Sequence, residues 1–253
     1  MTEREDSLVW RVERALQLAW PALAEQACGD WLARFAPGVS RRSNSANPTR
    51  ADLRNIEADI AVYEQAYRAR GAAAMFRLPS IVAPAADERL ARLGYAVEGE
   101  SQTLYGDLAP SAAPDSDVWL SMRPDSAWLA AMAALQGQRP QQAAIYKGVV
   151  ESIGISAGFA GLREDGEWAA LAYGAVQDGL LCCESVIVDP RRRGRGHARR
   201  MMSALFAWGA GQGARDVCLQ VAADNGPALA LYRSLGLRTE LYRYHYRRAP
   251  QPA

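Results

Sequence analysis

The 253-residue sequence predicts an α/β chain, of the α+β kind, that contains one fold twice. Three observations carry this expectation. Short β-branched runs alternate with segments whose apolar residues recur at helical spacing. One such strand enters a helix through two glycines, in Val186-Ile187-Val188-Asp189-Pro190-Arg191-Arg192-Arg193-Gly194-Arg195-Gly196-His197-Ala198. Finally, residues 71–105 repeat in 213–246: a shift of 142 lays Gly71 on Gly213, Leu93 on Leu235 and Gly94 on Gly236. Both stretches read strand, helix, Leu-Gly-apolar, strand, and a tandem repeat is the economical explanation. The first copy has no Gly-x-Gly loop, so it has lost the parts that carry chemistry.

In chain order, Leu8, Val12, Leu16, Ala19 and Leu23 show helical spacing over 8–28, with Pro21 kinking or dividing the helix and Gly29 ending it. Trp31, Ala33 and Phe35 alternate as a strand closed by Pro37-Gly38. The polar stretch Arg41-Arg42-Ser43-Asn44-Ser45-Ala46-Asn47-Pro48 has two readings. It is a surface loop, or a substrate-facing loop whose arginines and amides hold an anionic group. A helix is expected over 51–70, a strand over 73–78, a helix over 85–93 and a strand over 95–104. Residues 108–117 have the Pro/Ala/Ser composition of a linker. Domains are therefore placed at 1–108 and 118–253, with 109–117 between them.

In the second half, 118–122 reads as strand, 126–135 as a helix opened by Asp125-Ser126, and 136–140 as loop. Residues 153–162 and 168–176 form strands joined by the hairpin signal Glu164-Asp165-Gly166. Gly179 turns the chain into strand 180–188, which feeds the glycine loop and a helix around Met201 to Trp208. Residues 217–221 form another strand. Asn225-Gly226-Pro227 opens a helix that Gly236 ends, and 238–247 closes the chain as one or two strands.

Bulk properties narrow the function. A net charge of +1 gives no reason to expect nucleic acid. Four cysteines without metal-type spacing, and only two histidines, argue against a His/Cys metal site, so no metal is expected. Cys182-Cys183 lie in an apolar run and read as small buried hydrophobes. No apolar run approaches the roughly 18–20 residues that span a membrane, and the start lacks a signal-peptide core. A reduced, cytoplasmic protein is expected.

A strand feeding glycines and a helix N-terminus suits an anion, because the backbone approaches closely and unpaired N–H groups face the ligand. Here the sequence resembles the GNAT N-acetyltransferase superfamily. Its coenzyme A loop, Gln/Arg-x-x-Gly-x-Gly/Ala, is matched by Arg191-Arg192-Arg193-Gly194-Arg195-Gly196. Its second signature, Asn-x-x-Ala-x-x-Leu-Tyr-x-x-x-Gly-Phe, is matched from Asn225 through Ala228, Leu231, Tyr232 and Gly236, with Leu237 in place of Phe. The match covers roughly residues 118–248, and the two-domain bacterial type is suggested by Tyr244-His245-Tyr246-Arg247 and the stretch Arg42 to Ser45. The resemblance implies tandem GNAT-like folds with a mixed, mostly antiparallel central sheet flanked by helices.

It also implies transfer of an acetyl group from acetyl-CoA to an amine by direct attack. Backbone at Val186, Ile187 and Val188 is expected along the pantetheine, with one N–H polarising the thioester carbonyl. Backbone N–H groups of Arg193, Gly194, Arg195, Gly196, His197 and Ala198 are expected on the pyrophosphate, and some of the neighbouring arginines on the phosphates. Tyr232 is the expected general acid for the thiolate, against a plain packing role. Asn225 is expected to cap its helix, contact the pantetheine, or both.

Glu184 is the candidate general base. It lies two and four residues before Val186 and Val188 and is expected on their face. A structural carboxylate paired with an arginine is the competing reading. Two other functions compete with the enzyme: a non-catalytic acyl-CoA-binding regulatory module, and a nucleic-acid binder using the arginines. The acceptor amine is not specified by the sequence. The first half is expected to wall one side of the acceptor site or to make a homodimer contact.

Overall fold

The computed structural model describes residues 7–108 and 115–250, so positions 109–114 of the expected linker lie outside the described residues. The elements follow in chain order. The first half comprises α1 (Leu8–Ala19), β1 (Ala24–Cys28), β2 (Trp31–Phe35), β3 (Ala46–Pro48), α2 (Ile56–Arg68), β4 (Met75–Pro79), α3 (Ala85–Arg92) and β5 (Ala96–Asp107). The second comprises β6 (Val118–Ser121), α4 (Ser126–Leu135), α5 (Pro140–Glu151), β7 (Ser156–Glu164), β8 (Glu167–Gln177), β9 (Leu180–Val188), α6 (His197–Gly211), β10 (Asp216–Ala222), α7 (Gly226–Ser234) and β11 (Thr239–Arg248). All strands join one mostly antiparallel sheet in the order β1-β2-β3-β4-β11-β5-β10-β9-β8-β7-β6.

Most elements form where local chemistry directs. Asp125 accepts from the Trp128 N–H at 2.7 Å and so caps α4. Asp165 and Gly166 both take positive φ, as the tight β7–β8 hairpin requires. The expected long helix over 8–28 is corrected: Trp20-Pro21 ends α1, and Ala24–Cys28 instead pairs antiparallel with β2. Proline's missing N–H and its ring stop the helix, and the pairing with β2 then claims the segment. The stretch 41–48 is no solvated loop, since Ser43, Ser45 and Asn47 are buried. No helix among the described residues is long and apolar enough to cross a membrane.

The repeat shows in the sheet register. Tyr244 faces Pro79, and the same 142-residue shift carries that pair to Gln102 facing Val221. Between β5 and β11, Tyr105 faces Thr239 and Val97 faces Arg247, two pairs that the shift interchanges. The copies have therefore exchanged their last strands: β11 lies between β4 and β5, and β5 lies between β11 and β10. At this exchange Gly106 has no room for a side chain, because a Cβ there would sit 2.3 Å from the Gly236 carbonyl oxygen.

The cores cross the halves as well. Val12, Leu16 and Trp20, from α1 and its end, share one apolar cluster with Phe159 and Tyr173 of the second half. α6 and α7 cover the other face of the second half with Met202, Leu205, Leu229 and Tyr232. Within the first cluster Glu13 is buried and accepts from Arg77 and the Tyr242 hydroxyl. Burial alone would raise its pKa, but the Arg77 charge and these hydrogen bonds hold it below the ordinary carboxylate range.

A folded pKa below the unfolded value of about 4.3 adds stability that is complete above that value and lost as pH falls through the folded one. Urea unfolding should therefore be level above about pH 5 and weaken below about pH 4. Glu13→Gln should flatten part of that fall, and an unchanged pH dependence would contradict this role for Glu13.

Candidate active site

The site forms where β9 and β10 part. Leu180, Leu181 and Cys182 pair in parallel with Asp216, Val217 and Cys218, and beyond them the two strands run on unpaired with each other. A β-bulge in β9 sits beside the parting. Tyr173 faces Glu184 and Leu171 faces Ile187, so Ser185 and Val186 together oppose Ala172. Ser185 takes a left-handed φ of 53°, a conformation that costs a non-glycine residue about 1–2 kcal/mol. The Tyr146 hydroxyl on α5 donates to Ser185 Oγ at 3.0 Å and holds it there.

A cleft of about 520 Å³ opens at the gap. Val186, Ile187 and Val188 line it from β9, and Asn225 and Tyr232 from α7 and its cap. Arg193, Gly194, Gly196, His197 and Ala198 line it from the glycine loop and the start of α6. Of the expected coenzyme residues, Arg195 alone is not brought to the lining. Its guanidinium instead donates to Glu164 Oε2 at 2.8 Å.

The loop is shaped for an anion. Asp189 accepts from the Arg191 N–H and starts a single turn of 3₁₀ helix at Pro190–Arg192. Gly194 and Gly196 take φ of 78° and 81° with open space where a Cβ would stand, so backbone conformation alone demands glycine. The N–H groups of Gly196, His197, Ala198 and Arg199 find no acceptor among the described residues. They stand at the positive end of a 15-residue helix.

The arginine cluster is mostly neutralised. Arg191 pairs with Asp189, Arg192 and Arg195 with Glu164, and Arg200 with Asp115 and Asp117. Arg193 and Arg199 have no carboxylate partner among the described residues, and Arg199 donates to Ser234 Oγ at 2.7 Å. Two guanidiniums without a carboxylate partner and a row of free N–H groups fit a compact anion such as a pyrophosphate better than an extended nucleic-acid backbone.

Tyr232 is 6% exposed, and its hydroxyl has no hydrogen-bond partner among the described residues. Burial, with Cys183 and Glu184 nearby, pushes its pKa above the ordinary tyrosine value. Asn225 Oδ1 accepts from the Ala228 N–H at 3.2 Å and caps α7. Cys182 and Cys218 lie Sγ to Sγ at 3.5 Å. Their hydrogen bond and burial push the Cys182 thiol far up, which makes it a poor nucleophile.

Glu184 does not share the face of Val186 and Val188. Those valines pack toward α6 and α7, whereas Glu184 lies on the α1 face with Cys182. The expectation is corrected by the bulge, whose extra residue inverts the alternation after Glu184. There Arg42 of the first half grips the carboxylate with two hydrogen bonds, of 2.8 and 2.5 Å. Arg42 Nη1 also donates to Gln220 Oε1 at 2.9 Å, and the guanidinium lies over the Trp20 ring. Burial opposes its charge, but Glu184 holds the Arg42 pKa well above its usual value. By its sequence the stretch 41–48 reads as a surface or substrate-facing loop, and no local signal ties Arg42 to a strand so distant in sequence.

Residues 7–247 match the family described as "Probable histone acetyltransferase Rv0428c C-terminal". The chain belongs to that family. It is an acyltransferase of the GNAT superfamily, with the large, mostly antiparallel sheet flanked by helices that its structural neighbours share. An uncharacterized N-acetyltransferase, YobR of Bacillus subtilis, is 26% identical over 94% of this chain and 97% of its own length.

Among solved structures, a GCN5-related N-acetyltransferase from Kribbella flavida superposes with a TM-score of 0.67 at 15% identity. That match covers 96% of this chain and 94% of the other. A tandem GNAT protein from the clavulanic acid biosynthesis pathway superposes at 0.60 and 15% identity, over 83% and 76% of the two chains. In the first half, Asp30 accepts from the Arg54 N–H just before α2. An internal carboxylate thus takes the N–H that, 142 residues on, belongs to Gly196 and is left open.

Proposed function

We propose that this GNAT chain is an N-acetyltransferase that moves an acetyl group from acetyl-CoA directly onto an amine, with no acyl-enzyme. One observation carries the reading. Free N–H groups, two arginines without a carboxylate partner and an uncommitted tyrosine hydroxyl, all among the described residues, converge on a single cleft beside a parted pair of strands.

Acetyl-CoA supplies the acyl group as an activated thioester. The start of α6, with Arg193 and Arg199, holds the phosphates. Backbone at Val186, Ile187 and Val188 lies open to pantetheine, and an N–H there polarises the acyl carbonyl. Asn225 orients the cofactor arm from the cap of α7. Tyr232, kept protonated by burial, hands its proton to the departing thiolate.

Glu184 reaches the same gap from the opposite face. Both of its oxygens are already engaged by the Arg42 guanidinium, so we assign it to orienting the amine while the proton passes to water. Coenzyme and amine thus meet between β9 and β10 from opposite faces of the sheet.

Incubating the full chain with acetyl-CoA and a mixture of amines should release coenzyme A thiol and yield an N-acetylated amine. Intact mass should show no acetyl group retained on the protein. A stable acetyl adduct would overturn direct transfer. Tight coenzyme A binding without turnover of any amine would favour the regulatory module instead.

A further inference from the structure

On the α1 face a second cavity of about 670 Å³ is lined by Arg41, Arg42 and Arg248 and by no carboxylate. Arg42 ties it to the gap, because this residue lines the cavity and its guanidinium grips Glu184. The two halves build it together, with residues 38–44 of the first half facing Tyr244, Tyr246 and Arg248 of β11.

Its charge is unbalanced. Arg42 is neutralised by Glu184, but Arg41 and Arg248 share a single carboxylate, Glu98, at 3.6 Å from Arg41 Nε and 3.0 Å from Arg248 Nη2. One positive charge is left over. The Asn44 side chain and the Tyr246 hydroxyl belong to the same lining and have no hydrogen-bond partner among the described residues. A surplus guanidinium beside unused polar groups recognises an anion and repels a second cation.

We propose that this cavity admits the acceptor, and that the acceptor carries an anionic group, carboxylate or phosphate, besides its amine. The proposal rests on the acetyl-transfer reading above for the identity of the cavity's occupant. It adds the charge class of the substrate and gives the first half a part in choosing it. Arg41 and Arg248 hold the anionic end while the amine points past Arg42 toward the gap.

The test is calorimetric titration of matched amines into the full chain saturated with coenzyme A: 4-aminobutyrate against its amide, phosphoethanolamine against ethanolamine, and spermidine. The anionic member of a pair should bind about tenfold or more tightly than its neutral partner, and the preferred pair separates carboxylate from phosphate. Arg41→Ala and Arg248→Ala should each abolish most of that preference while coenzyme A affinity stays unchanged. Glu98→Gln, which removes the shared counter-charge, should strengthen it.

Equal binding of neutral amines or spermidine, failure of any of these amines to bind, or indifference to all three substitutions would overturn the proposal. Charge-selective binding without acetylation would leave the cavity's preference standing and sink acetyl transfer. Acetylation of neutral amines alone would do the reverse.

Discussion

Replacing Tyr232 with phenylalanine should lower kcat by about two orders of magnitude or more while leaving the KM for acetyl-CoA within about twofold. The substitution removes one oxygen from a ring that stays packed among Leu229, Leu237 and Met202 in the α6/α7 core. It therefore spares the cleft wall and deletes only the proton donor. The hydroxyl has no structural hydrogen bond to lose, so a fall in stability cannot mimic the effect. With wild-type Tyr232 the leaving thiolate is protonated as it departs, and without it the thiolate leaves unassisted. Steady-state kinetics with any accepted amine decides this. Unchanged turnover would reduce Tyr232 to a packing residue.

The second large effect is expected at the Arg42–Glu184 pair. Both partners are largely buried, with side-chain exposures of 18% and 3%. Breaking such a pair from one side leaves a buried charge without its partner, which costs about 3–5 kcal/mol. Arg42→Ala should accordingly lower the urea midpoint steeply, and Glu184→Gln should do so as well, since the glutamine keeps one oxygen to accept from Arg42 but no charge to offset the buried guanidinium. The double replacement Arg42→Ala with Glu184→Gln should cost less stability than the sum of the two single losses.

Kinetics separates position from proton transfer. If Glu184 orients the amine, Glu184→Gln reduces kcat but leaves the shape of the pH–rate profile intact. Loss of the alkaline-rising limb in that variant would instead make Glu184 the base.

Much of this architecture was legible in the sequence. The strand 180–188, the hairpin at Asp165-Gly166 and the cap at Asn225 follow from local chemistry and appear as expected. The glycine loop and the Asn225-to-Leu237 signature contain most of the residues that line the cleft.

What was not legible depends on partners remote in sequence. β1 is almost wholly exposed, so it shows no alternation and is a strand only because β2 pairs with it. No element was expected over 141–152, where α5 forms. Gly148 sits in its middle, and a Cβ there would be 3.2 Å from Leu23 Cδ2, so the first half packs closely against the helix at this residue. The bulge at Ser185 has no signature in its residues, yet it decides which face Glu184 occupies. The strand exchange, likewise, is visible only as matched registers.

The central claim is that the cleft between β9 and α7, opened at the start of α6, is the acyl-coenzyme A site of a two-copy GNAT that is equipped once. A crystal structure of the full chain with coenzyme A tests it most directly. The account predicts the pyrophosphate on the N–H groups of Gly196 to Arg199, the pantetheine along Val186 to Val188, and the sulfur near the Tyr232 hydroxyl. Coenzyme A lodged in the first copy, beside Asp30 and α2, or a cleft left empty at saturating ligand, would contradict it.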